Sequence, residues 1–163
     1  MTSRQEAILN DFFVHVFNKI LAWEEQALAR VGAQDLSVKE LHVLEAVHRL
    51  SLQERSTMTC VAEELSIHVS SLTAAVNTLV RKGYLRREAV PGDRRAIRIL
   101  LTEQGEQADR LHTQFHARMI RSAGAQLSDQ EWEVLTQSLS RLNAFFAEVI
   151  QTGGGEEDTP ART

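Results

Sequence analysis

The chain has 163 residues, 43% of them hydrophobic, a formal net charge of −4 and a single cysteine. That length holds one domain with a real core, and one cysteine excludes an internal disulfide framework. The start, MTSRQEAILNDFF, lacks the basic-then-apolar pattern of a secretory signal, and no uncharged run approaches the roughly 20 apolar residues of a membrane span, so a cytoplasmic protein without a membrane partner is expected. The charge is unevenly spread. From Arg81 to Arg98, seven basic side chains stand against Glu88 and Asp93, a local charge of +5, and such a local field selects a polyanionic partner even when the total charge is negative.

Two apolar rows, Ile8, Phe12, Val16, Ile20 and Leu9, Phe13, Phe17, Leu21, predict one helix from Gln5 to about Arg30, ended by Gly32, with a stripe wide enough for two neighbours. SVKE at Ser37 to Glu40 is a capping box for a second helix holding Leu41, Leu44 and Val47. Thr57 caps a short third helix through Val61, Ala62 and Leu65. A fourth begins near His68 and runs through Leu72, Val76, Leu79 and Val80 to a C′ glycine, Gly83. Two short helices joined by a tight turn predict a helix-turn-helix. YLRREAV and AIRILL are β-rich runs around a PGD turn, the pattern of a small hairpin. Thr102 caps a long helix from about Glu103 to Ala123, and SDQE at Ser128 to Glu131 opens a last helix carrying Leu135, Leu139, Leu142, Phe146 and Val149. The tail TGGGEEDTPART has no apolar content to order it.

The expected fold is mainly α with a small β-hairpin wing: a winged helix-turn-helix core at about 36–101, bracketed by long apolar helices in one domain over 1–152, with a disordered tail at 153–163. In such a module the fourth helix enters the major groove, where Ser70, Ser71, Thr73 and Asn77 present short polar groups to phosphates or base edges. His68, at the start of that helix, reads as a cap or phosphate contact, and Arg81 and Arg86 read as DNA contacts. Arg94, at the hairpin tip, reaches a minor groove, while Asp93 and Arg95 pair locally to hold the loop. A charge run by itself is commonly a solvated face; joined to the two-helix pattern, it reads as a nucleic-acid interface.

Residues Glu64 to Gly105, with LxRKGY, the DRR wing and LTxxG, resemble the core of the MarR family of bacterial transcriptional regulators, and the helix order extends the resemblance over about residues 5–150. The resemblance implies an obligate homodimer, with the first and the last two helices as dimerisation helices, bound to a pseudopalindromic double-stranded operator. It also implies that Asp93 and Arg95 support the wing and that Arg94 is the minor-groove residue. Within the family, VFNKILAWEEQAL, LSVKELHVLEAV, SLTAAVNTLVRKGY and RLHTQFHARM are similar to repressors of fatty-acid synthesis that sense acyl chains on acyl carrier protein.

Independently of that, Phe12, Phe13, Phe17 and Trp23 facing Leu111, Phe115 and Met119 offer an apolar slot for an acyl chain; the same residues equally serve as dimer core. No cofactor is required by this reading. The histidines supply its rival, because His112 and His116 lie at i, i+4 and, with His42 and Glu24, make a plausible zinc set if the helices converge. The zinc-responsive members of the family resemble that arrangement, although such histidine pairs are more often structural. Cys60 sits in the short third helix rather than in the first, where the family's peroxide sensors carry theirs, and reads as structural. No GxSxG elbow, Walker loop, GxGxxG or CxxC is present, and the pairs Glu24–Glu25 and Glu63–Glu64 diverge on their helices, so an enzyme is not expected.

Overall fold

The computed structural model describes residues 2–30, 35–90 and 93–151; the side chains of residues 17, 28–30, 93–96 and 151 lie outside the description. Gly32, the Pro91–Gly92 turn and the tail from 152 therefore fall outside the described residues. The helices are α1 (Ser3–Asp11), α2 (Phe17–Arg30), α3 (Val38–Ser51), α4 (Met58–Glu64), α5 (Val69–Arg81), α6 (Glu103–Gly124) and α7 (Asp129–Gln151), with strands β1 (Leu85–Val90) and β2 (Asp93–Leu101). This is a mostly helical fold with one two-stranded antiparallel hairpin, the winged architecture anticipated above. The chain divides into two compact units, 1–117 and 118–163.

The first helix of the sequence reading is not uniform. A π-turn, Phe12–Val16, separates α1 from α2. Its i→i+5 geometry winds less per residue than an α-helix, so rows drawn at 3.6 spacing do not run straight through it.

The caps fall where the sequence puts them. Ser37 and Glu40 form the α3 capping box, Thr57 accepts from the Cys60 amide, and Ser128 and Glu131 close on each other at the start of α7. Thr102 accepts from the Gly105 amide at 3.1 Å, and its hydroxyl donates to the Gly83 carbonyl at 2.6 Å. Gly83 adopts φ +83, the left-handed conformation that a C′ glycine supplies without strain.

The core of the first unit gathers Leu41, Leu44 and Val47 of α3, Val61 of α4, and Leu72, Val76 and Leu79 of α5, with Leu85 and Ile99 from the hairpin. Cys60 packs half-buried against this core. Gly105 is required by contact rather than conformation, because a Cβ there would stand 2.1 Å from the Tyr84 carbonyl oxygen. The LTxxG signature is thus a packing device that presses the first turn of α6 onto the start of β1.

Candidate nucleic-acid interface and buried histidine cluster

α5 buries Leu72, Val76 and Leu79 and turns its other face outward, so the fold side and the reading side follow from one amphipathic period. His68, Ser70, Ser71, Thr73, Asn77 and Arg81 are all exposed on that helix or at its start. His68 is the N-cap by backbone geometry, yet its side chain makes no capping hydrogen bond, leaving the imidazole uncommitted to the helix end. The Thr73 hydroxyl donates to the Val69 carbonyl at 2.7 Å, and Arg81 donates to the Thr78 hydroxyl at 3.5 Å. The far end of α5 is anchored: Lys82 donates to Glu40 at 2.8 Å and to the Asp35 carbonyl, and Tyr84 donates to the Asp35 carboxylate at 2.9 Å. Burial tends to raise Glu40, but the hydrogen bonds from Lys82 and Ser37 outweigh it and hold this carboxyl below its ordinary range.

The hairpin register pairs Leu85 with Leu101, Arg86 with Leu100, and Arg87 with Ile99. Cross-strand partners share a face, so Arg87 lies on the side of the buried Leu85 and Ile99, where α5 packs, and Arg86 lies on the opposite side. Arg86 forms an ion pair with Glu88 and lines a cleft with His48, Glu106 and Arg110, away from the exposed face of α5. The residue that reaches toward α5 is its neighbour, for Arg87 donates to the Asn77 side-chain oxygen at 2.7 Å. Sequence reasoning counted Arg87 in the basic segment and passed over it as a site residue; strand alternation from Leu85 was the signal that separated it from Arg86. Asp93, Arg94 and Arg95 begin β2, and their side chains lie outside the described residues.

Of the apolar slot, the structure brings together Trp23 and Phe115, whose rings meet edge to face with centroids 5.3 Å apart. Phe12 and Phe13 touch each other at 5.8 Å and are 44% and 41% exposed, within the π-turn that precedes α2. Leu111 is half-buried, the Phe17 side chain is outside the described residues, and Met119 belongs to the second unit.

The acidic and imidazole groups do converge. Glu24 of α2, His42 of α3, and His112 and His116 of α6 each offer one donor atom, all within 4.8 Å of one another. Glu24 Oε1 lies 2.8 Å from His116 Nε2 and 3.7 Å from His112 Nε2, and Oε2 lies 4.0 Å from His42 Nε2. The two α6 imidazoles approach at 3.0 Å, Nε2 to Nε2. Burial first, then the neighbouring His116 and His42, push His112 down to about 4, so its ring is neutral at pH 7. Glu24 Oε2 and His112 Nδ1 are buried without a hydrogen-bond partner. Glu45 lies 3.6 Å from that same Nδ1, and one turn away His48 Nδ1 meets the buried Asp109 at 2.5 Å, a second polar link between α3 and α6.

Residues 34–96 match the model of the MarR family. The chain carries a MarR-family domain. Over 119 residues it is 28% identical to the HTH-type transcriptional regulator PecS of Dickeya dadantii (strain 3937), covering 72% of each chain. It is 25% identical over the same length to the transcriptional regulator ZitR of Lactococcus lactis subsp. cremoris (strain MG1363), covering 71% of this chain and 82% of that one. Among solved structures it is similar to Streptococcus pneumoniae FabT in complex with DNA, at 29% identity and a TM-score of 0.79, over 88% of this chain and 99% of that one. Among the described residues, no helix is long and apolar enough to cross a membrane.

Proposed function

We propose that this MarR-family protein is a sequence-specific, DNA-binding transcriptional repressor that acts in the cytoplasm as a homodimer on a pseudopalindromic operator. The observation that carries the reading is the α5 face: a helix fixed by a buried apolar stripe presents Ser70, Ser71, Thr73 and Asn77 outward beside a basic hairpin. The likeness to FabT, solved on DNA, supports it. Self-association is supported by apolar side chains exposed in the single chain, among them Trp132, Leu135 and Leu139 of α7 and Ile8 of α1. The test is titration of a duplex selected from a random pool. Replacing Arg94 with alanine is expected to cost about 1–3 kcal/mol of binding without loss of thermal stability. Unchanged affinity in the folded variant removes Arg94 from the wing contact.

For the effector, the resemblance to the fatty-acid-synthesis repressors and the likeness to FabT support acyl chains on acyl carrier protein, with control of fatty-acid-synthesis genes. The Trp23–Phe115 pair is the apolar contact available to such a chain. A second reading is favoured by the Glu24, His42, His112 and His116 cluster, whose donors suit a zinc ion: one carboxylate and three imidazoles, two buried atoms among them unpartnered, and one ring held neutral. These residues would hold the ion, which would supply a positive charge beside the buried Glu24 and link α2, α3 and α6. DNA titrations with acylated carrier protein, zinc and chelator separate the two. Phe115→Asp abolishes an acyl response, whereas a His42→Ala, His112→Ala double variant abolishes a zinc response and leaves an acyl response in place. Zinc-dependent affinity that chelator reverses, without an effect of the acylated carrier, selects the metal reading.

A further inference from the structure

Four basic residues in the segment from Lys82 to Arg98 have described partners, and the partners differ in kind. Lys82 is paired with Glu40, Arg86 with Glu88 and Arg98 with Glu54, each a carboxylate that cancels its charge. Arg87 is held instead by the neutral side-chain oxygen of Asn77, at 2.7 Å, and has no acidic partner among the described residues. An amide oxygen orients a guanidinium without neutralising it. Both residues are exposed, and the hairpin register puts Arg87 on the side of the sheet where α5 packs.

The bond also changes what Asn77 can read. A free asparagine pairs with adenine through both ends of its amide, accepting from the base amino group and donating to N7. Arg87 takes one of the two lone pairs of that oxygen and sets a positive charge beside it, which disfavours a second donor such as the adenine amino group, so the pair presents chiefly donors, the Asn77 NH2 group and the remaining N–H groups of Arg87. Resting on the DNA-binding reading above, we infer that Asn77 and Arg87 act as one donor-presenting unit. Asn77 is the positioning residue, Arg87 makes the contact, and the target is an acceptor-only group, either a phosphate oxygen or the O6/N7 edge of guanine, rather than adenine.

The test uses the full-length protein and two probes, a random-sequence duplex and a duplex selected from a random pool by the wild-type chain. Arg87→Ala is expected to weaken binding about tenfold or more. Asn77→Ala should give a smaller loss, and the double variant should bind no worse than Arg87→Ala alone, because removing either residue disables the same contact. Selection repeated with Asn77→Ala should return the same adenine positions as wild type. Thermal melting confirms that both exposed substitutions leave the fold intact. A phosphate target appears as loss on both duplexes and a salt slope lower by about one; a guanine target appears as loss confined to the selected duplex, and either supports the inference. Additive losses, an unaffected Arg87→Ala, or an adenine preference that disappears in Asn77→Ala would overturn it. If wild type binds neither duplex, the DNA-binding reading itself fails.

Discussion

α3 and α7 are both amphipathic helices opened by a serine–glutamate capping box, yet they end in opposite environments. In α3, Leu41, Val43, Leu44, Ala46, Val47 and Leu50 are all buried within the unit that holds the winged core. In α7, every described side chain is exposed except the half-buried Leu142 and Val149. The same periodicity therefore reports two different things: one face is buried within its own unit, and the other is exposed in the single chain. A 23-residue helix with an exposed apolar face gains its stability from packing, so this face is the surface that the proposed homodimer would use.

The contrast breaks most sharply at matched leucines. Leu44→Ala, at a fully buried site, is expected to cost about 2–5 kcal/mol and lower the melting temperature at any protein concentration. Gly105→Ala comes next at roughly 3 kcal/mol, since the new methyl meets a backbone carbonyl that cannot swing aside. Thermal or urea unfolding measures both.

Acidification probes the histidine cluster. His112 has its pKa lowered to about 4 in the folded chain against 6.5 unfolded, so the unfolded state binds more protons between those values. The stability it contributes is present above pH 6.5 and is lost as pH falls from 6.5 to about 4, by no more than about 3 kcal/mol. Urea midpoints across that range should fall in wild type and flatten in His112→Asn; equal slopes in the two would detach the effect from His112.

Leu139→Ala, 43% exposed in the single chain, should cost the monomer under about 1 kcal/mol while shifting the monomer–dimer equilibrium toward monomer on dilution, as read by sedimentation. The smallest effect has the opposite sign to Gly105. Gly124 ends α6 with only ordinary contact to Trp132, so Gly124→Ala should gain about 0.5 kcal/mol through lower backbone entropy in the unfolded chain.

Much of the fold was legible because its signals are local. Ser37, Thr57, Thr102 and Ser128 marked helix starts through side chains that bond three residues ahead, Gly83 marked the end of α5, and the alternation in AIRILL marked a strand. The π-turn at Phe12–Val16 was not legible, because both apolar rows continue through it without a break in composition. Arg86 and Arg87 stand side by side in a basic run; strand alternation puts them on opposite faces, and the hairpin register shows which of the two faces α5. Glu24, His42, His112 and His116 were collected by type and spacing; their convergence to within 4.8 Å depends on how α2, α3 and α6 pack, which no local pattern encodes.

Whether the outward face of α5 and the basic hairpin beside it bind DNA is decided by the affinity for the pool-selected duplex over a series of salt concentrations. Selective binding over random duplex is expected, with log affinity falling linearly against log salt by several units of slope, as released counterions require. Binding that is absent, or that neither prefers the selected sequence nor changes with salt, would contradict it.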